Sequence, residues 1–262
     1  MLNLALSARV TPGQNAEVPI RAHVIGGVPP CAQACLHALN IDAVPARAIE
    51  TRSPLNKIIM FRDADPARHL VALDCDLLLG PGFPGDLRGN CVAAVPASFP
   101  LLPGWVWRAL FGSLGLPLLE KPLIATISRE PIPVPYLNTG VVLMPGRWGA
   151  ELAEAWLYYA RAVRRHPAIP RWTPVIDFHL DQIAFACAVS CLGHPLHILP
   201  TEYNSPFLDH EAGRVRVLHY HAQVNEDGTV RLPSAPAAAS LVREFNAMLR
   251  RSGLAAADWP CR

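Results

Sequence analysis

The apolar positions fall into short runs whose period changes along the chain. "VPIRAHVIGG" (18–27) alternates and then stops at two glycines, which predicts a strand ending in a turn. "PPCAQACLHALNI" reads as a helix with Pro30 in its first turn, and "AVPARAIE" as a second strand. In "SPLNKIIMFRDA" the residues Leu55, Ile58, Ile59 and Arg62 recur at helical spacing behind a capping Ser53 and Pro54. "HLVALD" and "NCVAAVPA" are continuous apolar runs of the kind buried strands carry, and "YLNTGVVLM" is a third. "WGAELAEAWLYYARAVRRH" predicts a long amphipathic helix. Arg161, Arg164 and Arg165 lie near its C-terminal end, where the helix dipole favours cations. "VIDFHLDQIAFACAVSC" predicts a further helix, "LHILP" and "VRVLHYH" late strands, and "SLVREFNAMLRR" a closing helix.

Strands alternate with helices through the first half, which predicts an α/β fold with a mainly parallel sheet flanked by helices. Sites in such sheets gather at the carboxyl ends of the strands. No linker or internal repeat divides the chain, so residues 1–262 are expected to form one domain. Residues 96–135, rich in Pro and Gly, read as an insertion or lid. Its most apolar part, "FPLLPGWVWRALFGSLGLPLL", is interrupted by Pro100, Pro103, Arg108 and Pro117, so a short helix packed inward fits it better than a membrane span.

Composition narrows the class. Half of the 262 residues are hydrophobic and 17% are charged, so most of the chain should pack into a core. A net charge of +2 without a Lys/Arg stripe speaks against a nucleic-acid partner. The seven cysteines form no CxxC pair and read as reduced thiols, and no charged start with a long apolar stretch marks a signal peptide. The expected location is cytoplasmic, with peripheral contact to the inner membrane face as an option.

The stretch "HLVALDCDLLLG" (69–80) carries the chemistry. Asp74 and Asp76 end a buried strand, and they would share one face if that strand continued. Two adjacent carboxylates repel unless water or a cation lies between them. A hard divalent ion such as Mg²⁺ or Mn²⁺ takes oxygen ligands and commonly bridges carboxylates to phosphates. A solvated turn is the competing reading of the same three residues.

This Asp-x-Asp strand resembles that of the GT-A glycosyltransferases. Four later segments are similar to the glycogenin and bacterial galactosyltransferase group, in the same order: "YLNTGVVLMPGRW", "DQIAFACA", "LPTEYN" and "VLHYHA". The resemblance implies a GT-A (Rossmann-like) fold and metal-dependent transfer of a hexose from a nucleotide-diphosphate sugar to an acceptor hydroxyl, with retention of configuration. The acceptor class, whether saccharide, lipid or protein, stays open. The resemblance places the Mn²⁺ or Mg²⁺ ion on Asp74, Asp76 and His219, with His221 a weaker candidate. Lys57 stands where the group has a basic residue near the donor phosphates or the aspartates. Asn138 and Gly140 would line the sugar pocket, and Asp181 and Gln182 would sit beside the transferred sugar. Tryptophans 105 and 107 in the insertion offer a platform for an acceptor.

Two departures qualify the match. The group's His strand continues to a Lys that contacts the diphosphate. Here the text after His219 is "YHAQVNEDGTVRLP", in which Arg231 is the cation that could substitute. The group's sheet also opens with a base-binding strand, whereas "LNLALSARVTPGQNAEVPIRAHVIGG" resembles the helix that follows it running into the second strand. The first strand is therefore expected to be missing. Two other readings stay open: an inactive GT-A-like scaffold that binds a sugar or nucleotide, and a haloacid-dehalogenase-like phosphatase with Asp74 as nucleophile and Asp76 as acid/base.

Overall fold

A computed structural model gives the fold and describes residues 1–10, 18–51, 53–83, 89–167, 173–207, 213–221 and 223–252. These residues form two compact units. One combines the described residues of 1–47, 74–86 and 200–262; the other combines those of 48–73 and 87–199.

The first unit opens with helix α1 (Leu2–Val10), strand β1 (Ile20–Ile25), helix α2 (Pro30–Ala38) and strand β2 (Ile41–Ala46). β1 and β2 pair in parallel, joined by α2 as a crossover. Gly26 and Gly27 take φ of 84° and 96°, a region where a side chain would be strained, so the chain can turn out of β1 there. A second sheet joins β4 (Leu77–Leu79), β10 (Ser205–Pro206) and β11 (Val217–His219) in the order β10-β11-β4. Leu78, Leu218, Val230 and Phe245 of helix α7 (Pro236–Arg251) share one core beneath it. Asn246 Oδ1 accepts from Val230 N–H at 2.9 Å, and its Nδ2 donates to Val230 O at 2.7 Å, which fixes the incoming segment on α7.

The second unit holds helix α3 (Ile58–Arg62), β3 (His69–Leu73), β5 (Val92–Pro96), α4 (Gly104–Ser113), the hairpin β6 (Leu123–Ile124) and β7 (Pro131–Ile132), β8 (Leu137–Pro145), α5 (Gly149–Arg165), α6 (Thr173–Leu192) and β9 (Leu196–Ile198). Its four-stranded sheet has the order β3-β8-β5-β9. The sheet is mixed rather than mainly parallel: β8 runs antiparallel to both neighbours, and only β5 and β9 are parallel. The cause lies in the 97–136 segment. It leaves β5 and returns beside it, with Ala97 N–H donating to Tyr136 O at 3.1 Å, so β8 must run back down the sheet.

That segment packs inward, as its apolar content predicted. Val106, Trp107, Leu110 and Phe111 of α4 enter the main core, and Trp107 Nε1 donates to Pro100 O at 2.8 Å. Trp107 is fully buried and cannot serve as an acceptor platform; Trp105, on the opposite face of α4, is 63% exposed. α5 buries Leu152, Trp156, Tyr159 and Val163, the i, i+4, i+7 stripe of its sequence, and each full burial contributes about 1.5–3 kcal/mol. Trp156 stacks edge-on against Phe61 at 5.2 Å.

Gly149 starts α5 against the end of α3. A Cβ there would run into the Phe61 carbonyl oxygen, with Ala64 Cβ 2.8 Å away. Gly149→Ala is expected to cost about 1–3 kcal/mol, read as a lower urea midpoint; an unchanged midpoint would mean that α5 shifts freely. No helix among the described residues is long and apolar enough to cross a membrane. Cys35, Cys75, Cys91, Cys187 and Cys191 are thiols outside any disulfide.

Candidate functional site

The run 69–80 does not form one strand. β3 ends at Leu73, residues 74–76 turn, and β4 begins at Leu77 in a different sheet. Apolar residues follow the aspartates because Leu77, Leu78 and Leu79 pair with β11 and are buried in the first unit.

The β4–β11 ladder sets the first polar cluster. His219 lies opposite Leu77, and Tyr220 N–H donates to Asp76 O at 3.1 Å, so the ladder pins Asp76 beside the end of β11. His219 Nε2 then faces Asp76 Oδ1 at 3.2 Å. Its other nitrogen, Nδ1, lies 3.2 Å from Asn204 Oδ1, a contact that orients the ring. Asn204 is buried, and its Nδ2 has no hydrogen-bond partner among the described residues. Leaving that group unpaired costs about 1–3 kcal/mol. His221 stacks on His219 with ring centroids 4.1 Å apart, and its Nδ1 lies 3.9 Å from Asp76 Oδ2.

One ligand atom each from Asp76, His219 and His221 can be chosen so that all three lie within 4.8 Å of one another. One carboxylate oxygen and two imidazole nitrogens suit a divalent first-row cation. Burial opposes the charged form of Asp76, but the hydrogen bond and charge of His219 outweigh it and hold the carboxyl below its usual range. Burial, and next the neighbouring His219, push His221 below the ordinary imidazole value, against the pull of Asp76 and Asp74. A lowered value keeps the imidazole neutral, as a ligand must be. Asp74 is half-buried in the turn, acts on His221 through its charge, and is not a member of the three-residue group. Arg231 is exposed and lies by Gln223, with Nη1 3.5 Å from Gln223 Oε1.

The second unit holds a separate buried cluster. Lys57 Nζ lies 2.9 Å from Asp181 Oδ2 and donates to Thr139 Oγ1 at 3.1 Å; Thr139 Oγ1 donates to Asp181 Oδ2 at 2.8 Å. Two local irregularities assemble it. Between Ala94 and Val95 the pairing on β8 jumps from Val142 to Asn138, so residues 139–141 bulge out of that ladder. Asn138 Oδ1 accepts the Gly140 N–H at 2.8 Å that the bulge releases. α6 is broken at His179 (φ −110°, ψ 15°), so Asp181 sits in the first turn of the resumed helix, where the dipole favours a carboxylate. Trp156 Nε1 donates to Asp181 O at 2.7 Å. Gln182 is half-buried beside it.

Of the residues singled out from sequence, the structure brings Asp76 together with His219 and His221, and Lys57 together with Asp181. Gly140 lies in the bulge and Asn138 flanks it. Thr139 and Asn204 carry contacts that the sequence reading assigned no role, although both lie inside quoted segments, "YLNTGVVLM" and "LPTEYN".

Residues 25–193 match the Rhodobacterales glycosyltransferase domain. The chain belongs to that family. This glycosyltransferase is similar in fold to the galactosyltransferase LgtC, solved in complex with donor and acceptor sugar analogs. That match has a TM-score of 0.56 at 13% identity and covers 94% of this chain and 90% of that one. Mouse xyloside xylosyltransferase 1, in its apo form, matches with a TM-score of 0.45 at 16% identity, over 84% of this chain and 93% of that one. Glycosyltransferase GlyE of Streptococcus pneumoniae TIGR4, apo form, matches with a TM-score of 0.49 at 14% identity, over 98% and 60%. Comparison with curated proteins gives no match. The glycosyltransferase therefore has the mixed α/β GT-A fold and is a transferase of sugars. Membership of this family decides against the phosphatase reading of the Asp-x-Asp turn.

Proposed function

We propose that the chain transfers a hexose from a nucleotide-diphosphate sugar to an acceptor hydroxyl, with a divalent cation, Mn²⁺ or Mg²⁺, held at Asp76 and His219. The observation that carries this reading is the approach of Asp76 and His219. These residues are distant in sequence, yet they meet at 3.2 Å with the imidazole oriented by Asn204. The LgtC structure, with its donor and acceptor sugar analogs, supports the donor class by likeness of fold.

A cation bound there supplies Lewis-acid charge that neutralises a departing diphosphate. The chain's own residues do the rest. Asp76 contributes a negative oxygen held ionised at neutral pH. His219 presents Nε2 beside it with the ring oriented by Asn204, and the β4–β11 ladder keeps both from reorganising. Asn138, Gly140, Asp181 and Gln182 are assigned to the sugar on family resemblance. An Asn or Gln amide can both donate to and accept from sugar hydroxyls, and a carboxylate stabilises positive character at the anomeric carbon. Screening saccharide, lipid and protein acceptors against a productive donor identifies the acceptor class.

The test is release of nucleoside diphosphate from a panel of nucleotide sugars, with Mn²⁺ and with EDTA. The reading requires release from at least one donor that EDTA abolishes; donor turnover indifferent to EDTA would remove the cation from it. Asn204→Ala is expected to weaken Mn²⁺ binding by about 10–100-fold, measured by calorimetric titration. Unchanged affinity would show that the ring needs no such holder.

A further inference from the structure

We propose that His221 is a third protein ligand of the cation, making the centre one carboxylate and two imidazoles that prefer Mn²⁺ or a later first-row divalent ion to Mg²⁺. This rests on the cation reading above and goes beyond it, because the Asp-x-Asp pattern offers Asp74 as the second carboxylate.

Two features point to His221. First, a nitrogen of its ring belongs, with Asp76 and His219, to the set of atoms within 4.8 Å of one another, and Asp74 contributes none. Second, its ring lies nearly parallel to that of His219 at 4.1 Å, so both imidazoles are presented to the same carboxylate, one to each oxygen. His221 also takes φ +51°, a left-handed conformation that histidine enters more readily than most non-glycine residues, so the chain turns where β11 ends.

The donor set fixes the ion class. Mg²⁺ demands oxygen ligands and dehydrates reluctantly, whereas affinity for an N/O site rises from Mn²⁺ through Fe²⁺ and Co²⁺ towards copper. Two nitrogens and one oxygen leave positions open for substrate oxygens, as a catalytic site requires.

The experiment is pulsed EPR on the full chain loaded with Mn²⁺, which counts imidazole nitrogens coupled to the ion, alongside calorimetric affinities for Mn²⁺ and Mg²⁺. His221→Gly removes the ring and suits the positive φ, so the fold is retained; circular dichroism checks this. The proposal requires two coupled imidazoles in the wild type and one in His221→Gly. It also requires the Mn²⁺ over Mg²⁺ affinity ratio to fall by about tenfold or more in the variant. A single coupled imidazole in both proteins, with an unchanged ratio, overturns the role of His221 and leaves the cation reading standing. No Mn²⁺ binding to the wild type overturns the cation reading, and this proposal with it.

Discussion

Asp76→Asn is expected to lower metal-dependent sugar transfer by about a thousandfold or more, with the fold intact. The amide keeps the shape of the carboxyl group, and the Asp76 carbonyl still accepts from Tyr220 N–H, so the β4–β11 ladder survives. What disappears is the negative charge beside His219. A cation's stabilisation of a leaving diphosphate is worth several kcal/mol, and about 4 kcal/mol corresponds to three orders of magnitude in rate. The urea midpoint should move by less than the equivalent of about 1 kcal/mol, as for other isosteric changes at a partly exposed site. Turnover by Asp76→Asn within a few-fold of wild type would remove this side chain from the chemistry.

Lys57→Met is expected to destabilise the protein by about 3–5 kcal/mol. Asp181 is 3% exposed, and its carboxylate contacts Lys57 and Thr139. Methionine fills the aliphatic space of the lysine but leaves a carboxylate buried with one hydroxyl donor, and breaking a buried pair costs that much. The sharper expectation concerns the double variant. Lys57→Met with Asp181→Leu should be more stable than Lys57→Met alone, because no charge is then stranded, and a double-mutant cycle should give a coupling above about 2 kcal/mol. A Lys57→Met penalty below about 1 kcal/mol would mean that water reaches Asp181.

The order of strands and helices was legible in the sequence because each long element carries its own period. α5 shows it best: its buried residues are the apolar stripe of "WGAELAEAWLYYARAVRR". The run "HLVALDCDLLLG" was legible as buried but not as two strands. Periodicity registers burial, not which sheet does the burying, and β3 and β4 are buried by different partners. For the same reason the direction of β8 was hidden, since an apolar strand reads alike in a parallel and an antiparallel sheet. Asp76 and His219 could be found because their segments resemble, in order, the Asp-x-Asp and His strands of GT-A glycosyltransferases. Thr139 could not: its place depends on a bulge that no local signal announces. The backbone turn at His221 was equally invisible, since histidine enters the left-handed region without requiring it.

Calorimetric titration of a nucleoside diphosphate panel into the full chain, with and without Mn²⁺, tests the central claim most directly. The account predicts at least one diphosphate that binds only with Mn²⁺, and loss of that binding in Asp76→Asn. Equal affinity with and without the ion, or binding unaffected by the substitution, would contradict it.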